Sequence, residues 1–74
     1  MISKKTMEQY EQVRQSGVTN MYDYYGVITA ANRRKFYALA SLTGEEYSKL
    51  LSNFGKLMKQ YDIKQLKSGD KNDK

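Results

Sequence analysis

The stretch Thr43-Gly44-Glu45-Glu46-Tyr47-Ser48-Lys49-Leu50-Leu51-Ser52-Asn53-Phe54-Gly55-Lys56-Leu57-Met58-Lys59-Gln60-Tyr61 decides the fold class. Thr43 and Glu46 have the spacing of a capping box, in which the hydroxyl accepts from the third helical amide and the carboxylate reaches back to the cap. Tyr47, Leu50, Leu51, Phe54, Leu57, Met58 and Tyr61 follow at i, i+3, i+4, i+7 spacing. On a helical projection they share an arc of roughly 120°, uninterrupted by a polar side chain. Glu45 and Glu46 at the start, with Lys56 and Lys59 nearer the end, complement the helix dipole. The pattern predicts a helix over about 44–62 that hides one face. Ile63 and Leu66 fall off the stripe, so the helix should end or bend near Asp62.

Upstream, Met21, Tyr24, Val27, Ile28, Ala31, Ala38, Leu39 and Leu42 fall within a similar arc and predict a helix over about 21–42. Lys35 is the one charged intruder, with a stem long enough to snorkel outward. Asn20 is a favoured N-cap type, followed three residues later by Asp23. Gly26 weakens the helix by about 1 kcal/mol relative to Ala and is a place where it could break. Only Thr43 and Gly44 separate this helix from the next, which requires a tight corner or an antiparallel hairpin. A first helix is predicted over about 3–16. Ile2, Thr6, Tyr10 and Val13 share its inner side, Lys4, Glu8, Glu11 and Gln12 point elsewhere, and Gly17 stands where a left-handed residue stops a helix. The expected architecture is therefore all-α: a compact three-helix bundle in one domain over 1–66. The basic tail 67–74, with no apolar residue, is expected to be disordered.

At 74 residues the chain is short for a self-sufficient core; a domain near this size buries only about 60% of its unfolded surface. Cysteine and histidine are both absent. Disulfides are excluded, and zinc and haem lack their common ligands. Acid–base and covalent catalysis lose their most frequent side chains. The carboxylates form no obvious paired acid site. These absences point to a non-enzymatic protein with no cofactor, metal or small-molecule substrate. Docking on a partner, a second copy of the chain included, is the remaining aid to stability. Mean hydropathy is −0.83, no run approaches the length of about 18 apolar residues needed to span a membrane, and Met-Ile-Ser-Lys-Lys is followed by no apolar signal core. A cytoplasmic location is expected.

Net charge is +5, which brings nucleic acid forward as a partner class. The charge is spread thinly, and only Arg33-Arg34-Lys35 is a compact cluster. Leu39-Ala40-x-x-x-Gly44, with Leu50 further on, has spacing found around the turn of a helix-turn-helix. The recognition helix would then begin with Glu45 and Glu46, facing phosphates with negative charge, and Asn53 would stand where an apolar residue belongs. Lys49, Lys56 and Lys59, with Arg33, Arg34 and Lys35, are the residues a nucleic-acid interface would use. The alternative reading of each is an ordinary solvated helix face. Of the tyrosines in Met21-Tyr22-Asp23-Tyr24-Tyr25, Tyr24 lies on the apolar arc and Tyr25 at its edge. Only Tyr22 is left outside, which is too few for a base-stacking platform.

A second face of the 21–42 helix is more informative. Tyr22, Gly26, Thr29, Ala30, Arg33, Tyr37 and Ala40 lie opposite the apolar arc. Tyr and Arg are enriched at interface hot spots, and Gly and Ala allow another backbone to approach. The plainer reading is that the first helix packs here; the other is that Tyr22, Gly26, Thr29, Arg33 and Tyr37 receive a partner.

Asn20-Met21-Tyr22-Asp23, followed by Val27, Ala31 and Phe36-Tyr37-x-Leu39, resembles a family of small phage- and prophage-encoded proteins known only as a domain of unknown function. The similarity runs from about Val13 to Leu51. The Arg33-Arg34-Lys35 cluster and the long third helix with its basic tail depart from it. The resemblance brings no site residues. It implies a phage or mobile-element origin in a bacterial host, and an accessory protein that binds a host or phage factor, such as a defence or transcription component. The same motif also reads simply as the start of a helix: cap, apolar residue, aromatic, acid.

Overall fold

Ser3 and Thr43 each satisfy an orphan amide at the start of a helix, and between those two caps the chain builds most of its core. The computed structural model describes residues 2–63. They form α1 (Lys4–Ser16), α2 (Tyr24–Arg33), α3 (Tyr37–Ala40), α4 (Gly44–Ser52) and α5 (Phe54–Gln60), with no strand among the described residues. The expected tail at 67–74 and the domain limit at 66 lie outside the described residues. α1 packs against α2 and α3, and α2 against α3. The core takes Met7, Tyr10 and Val13 from α1, Val27 and Ala31 from α2, Leu39 from α3, Leu42 from the next turn, Tyr47 and Leu50 from α4 and Met58 from α5.

The helix expected over 21–42 is two helices. Its start moves to Tyr24, because Asp23 is the N-cap, its carboxylate accepting from the Gly26 amide at 3.2 Å. Asn20 instead closes the preceding turn, accepting from the Tyr22 amide at 2.8 Å. Gly26 lies within α2 and does not interrupt it. The break falls at Lys35, whose φ is 61°. There the Lys35 amide donates to Asn32 O at 3.1 Å and the Phe36 amide to Ala31 O at 2.8 Å. This bond pair is a Schellman motif, usually built on glycine at the left-handed position. The physical reason is visible in the pattern: continued as a helix, the chain would carry Lys35 onto the apolar arc. Bending instead leaves Lys35 exposed and turns Phe36 to pack against the core. α3 then starts without a side-chain cap of its own, and Gln9 of α1 supplies one by accepting from the Leu39 amide at 2.9 Å.

The helix expected over 44–62 is likewise divided, at Asn53, whose φ of −117° leaves the helical region. The Asn53 side chain donates to Lys49 O at 3.0 Å, the kind of local bond by which Asn competes with a helix. The apolar stripe nevertheless continues through the joint. Tyr47, Leu50 and Met58 are buried, while Leu51, Phe54, Leu57 and Tyr61 pack against the core half-buried. The Thr43–Glu46 capping box is present in both its bonds, at 3.1 and 3.0 Å. The end near Asp62 is a second Schellman turn. Asp62 has φ 56°, and Ile63 donates to Met58 O at 2.9 Å. Gly17, with φ 68°, ends α1 in the expected left-handed conformation.

In α1 the inner face is wider than the spacing implied. Met7 is buried, and Glu11, expected to point away, is only 2% exposed. Arg14 holds it through two bonds, Nε to Oε1 at 2.7 Å and Nη2 to Oε2 at 2.6 Å. A two-pronged, charge-assisted pair is what makes such burial tolerable. The pairing to Glu11 in turn raises the Arg14 pKa, and the guanidinium sits 5.8 Å from the centre of the Phe54 ring.

Tyrosine hydroxyls tie distant parts of the chain together. Tyr24 donates to Leu42 O at 2.6 Å, Tyr47 to Met21 O at 2.5 Å and Tyr61 to Ile2 O at 2.9 Å. The rings of Tyr24 and Tyr47 belong to one cluster, with Tyr10 6.1 Å from Tyr47 and 5.5 Å from Phe54, and Tyr24 5.8 Å from Tyr47. Burial pushes the phenols of Tyr47 and Tyr10 above their ordinary value of 10.0.

Two outcomes follow. Lys35→Gly removes the steric cost of a left-handed side chain and is expected to raise stability by about 1 kcal/mol in urea melts. An unchanged or lower midpoint would contradict the Lys35 conformation. For Tyr47, the folded pKa lies above the unfolded one. The neutral phenol's contribution is therefore complete below about pH 10 and is lost as pH rises through the raised value. Tyr47→Phe should cost about 1 kcal/mol at pH 7 through the lost hydrogen bond and flatten the alkaline fall in stability. Parallel pH–stability curves for the two proteins would rule this out.

Candidate interaction groove

The first turn of α2 positions one inward and one outward aromatic. Tyr24 is held inside by its bond to Leu42. Tyr25, the next residue, is 79% exposed, its ring packed edge-on against Tyr24 at 5.2 Å. Tyr25 therefore stands in solvent rather than at the edge of the core. One residue on, the loop preceding α2 lies directly over the helix at Gly26. A β-carbon at that position would overlap Thr19 Oγ1 and lie 2.7 Å from Asp23 Oδ2. The glycine thus admits the chain's own Thr19 and the capping carboxylate, where the sequence suggested room for a partner's backbone.

This close approach shapes a groove of about 490 Å³ along α2. Val18 and Thr19 contribute from the loop, Tyr25, Gly26, Thr29 and Ala30 from the helix, and Arg33 and Arg34 from its C-terminal end. Val18 is 56% exposed. Both arginines are exposed, and neither pairs with a carboxylate among the described residues. Their place at the end of α2 suits the helix dipole, and nothing else in the described residues neutralises them. The Asp23 carboxylate lies beside Gly26 without lining the groove, so the charge lining the groove is positive and confined to the arginine end.

Of the residues expected to receive a partner, the structure brings Gly26, Thr29 and Arg33 to this groove. Tyr22, 84% exposed, and Tyr37, 61% exposed, stand in solvent without lining it. Ala30 and Ala40, from the same predicted face, pack half-buried against the core. Of the nucleic-acid set, Arg33 and Arg34 line the groove and Lys35 occupies the turn beside it. Lys49 on α4 and Lys56 and Lys59 on α5 are exposed away from it, and Lys59 shares a second depression with Asp62. α3 and α4 do flank a short turn, but α3 has only 4 residues and the first turn of α4 carries Glu45 and Glu46. Val18, Thr19 and Tyr25 went unflagged by the sequence pattern. Tyr25 could have been found, since it precedes Thr29 by four residues and Arg33 by eight; loop residues have no such period.

Among the described residues no group of His, Cys, Asp or Glu is arranged to hold a metal ion, and no helix is long and apolar enough to cross a membrane. The described residues form a small all-helical fold with an open groove on its second helix, two arginines at one end. The chain belongs to the family described as Domain of unknown function (DUF5049), whose model matches residues 2–51. That span includes all of α1–α3, nearly all of α4 and every residue of the groove. No curated protein and no solved structure was found to match the chain.

Proposed function

We propose that this chain is a non-catalytic accessory protein, in plan a three-helix bundle with two bends, that works by holding a protein partner against the groove on α2. The observation carrying this reading is the combination of exposed Tyr25 with Arg33 and Arg34, which pair with no carboxylate among the described residues, around one concavity. These residue types dominate binding energy at protein interfaces. They do little for the fold here: Tyr25 makes an edge contact with Tyr24, and the arginines lie outside the core. The resemblance to phage- and prophage-encoded proteins supports a setting in the cytoplasm of a bacterial host, with a host or phage factor such as a defence or transcription component as the partner. A second copy of the chain is a further partner of the same class. Mimicry of DNA is disfavoured by the net charge of +5.

The same charge and the cluster Arg33-Arg34-Lys35 favour a second reading, a nucleic-acid-binding protein also using Lys49, Lys56 and Lys59. It is weakened by the acidic start of α4 and by the distance of those lysines from the groove. Capture from a bacterial lysate with the tagged full chain, with and without nuclease, separates the two. A protein retained after nuclease treatment, and reduced about tenfold or more by Tyr25→Ala or Arg33→Glu, is expected. Recovery of nucleic acid alone, or capture indifferent to both substitutions, would overturn the first reading.

A further inference from the structure

The groove has a polarity that narrows the chemistry of its occupant. At one end Arg33 and Arg34 present guanidinium groups with no carboxylate partner among the described residues. Between the ends, Gly26, Ala30 and Val18 offer small and apolar surface, and Tyr25 offers a ring. The other end has no charged lining residue among the described residues, the Asp23 carboxylate being held beside Gly26 by its capping bond to the Gly26 amide. A polyanionic strand passing along this line would meet cations at one end alone. Phosphate recognition instead favours cations repeated along a track. A protein segment with acidic residues at one end alone matches this arrangement, and arginine forks match carboxylates in geometry. The spacing also fits. From Gly26 to Arg33 the helix advances about 10 Å, which about three residues of extended chain span.

We infer that the groove on α2 receives a short acidic segment of a protein partner, its carboxylates on Arg33 and Arg34 and a small apolar side chain over Val18 and Ala30. This rests on the protein-binding reading above and specifies the partner's chemistry. The probe is a short capped peptide containing Ala-Leu-Glu-Glu, titrated into the full chain and followed by backbone amide shifts. Its neutral counterpart with Gln-Gln and an oligothymidylate serve as comparisons. The Glu peptide is expected to shift the amides of Val18, Thr19, Gly26, Thr29, Ala30 and Arg33. Binding should weaken as salt rises, fall about tenfold or more in Arg33→Gln/Arg34→Gln, and be far weaker for the Gln peptide. Because both arginines are exposed, these substitutions leave the core untouched, and an unchanged urea midpoint checks this. Equal binding of the Gln peptide, tighter binding of oligothymidylate at the same amides, or shifts spread evenly over the lysines of α1, α4 and α5 would each overturn the inference. If Arg33→Gln/Arg34→Gln leaves capture of the lysate protein intact while Tyr25→Ala abolishes it, the acidic-segment inference falls and the protein-binding reading stands. Failure to capture any protein removes both.

Discussion

Phenol hydroxyls donating to backbone carbonyls are the interaction on which the rest of this structure depends. A chain without cysteine, and with no metal-binding cluster among its described residues, must hold its loops by other means, and this one uses tyrosines whose rings lie in or against the core. Each of Tyr24, Tyr47 and Tyr61 combines apolar area with a terminal donor. Each reaches a carbonyl in a segment that no helix would otherwise satisfy: the turn after α3, the turn before α2 and the chain start. The Tyr47 bond matters most for the groove. It fixes Met21, and with it the loop whose Thr19 lies on Gly26. The groove is thus a by-product of how the core closes.

The alternation of apolar and polar side chains made the helical class, the capping box at Thr43 and the stop at Gly17 readable from residues alone, because those features depend on local spacing. The same spacing over-extended two helices. Lys35 was the visible warning in the first. A single charged residue on an otherwise apolar arc was readable as a snorkelling side chain, but the chain solved the conflict by leaving the helix. Asn53 gave less warning, since the stripe on either side of it stays in phase and the deviation is local to one residue. Glu11 was misplaced for another reason. Its burial depends on Arg14 and the Phe54 ring arriving beside it, and no periodicity in α1 records a partner from α5.

The functional face was legible to the same degree. Gly26, Thr29 and Arg33 share a side of α2 by helical geometry, so residue spacing found them. Tyr22 and Tyr37 were grouped with them on the assumption of an unbroken helix; the actual start at Tyr24 and the bend at Lys35 separate both from the groove. Val18 and Thr19 come from a loop whose course is set by Tyr47, twenty-odd residues away in sequence, and spacing cannot register such a contact. Gly26 itself was identified correctly and interpreted differently. The space left by its missing side chain is filled by the chain's own Thr19, and that filling gives the groove its wall.

The central claim, that one tyrosine cluster closes the fold and places the loop, is tested most directly by through-space contacts between ring protons in solution. Nuclear Overhauser contacts are expected from the Tyr47 ring to the rings of Tyr10 and Tyr24 and to Met21, together with a Tyr47 hydroxyl proton protected enough from solvent exchange to be seen. A Tyr47 ring showing no contact with either neighbour, or a hydroxyl exchanging as freely as that of exposed Tyr22, would contradict it.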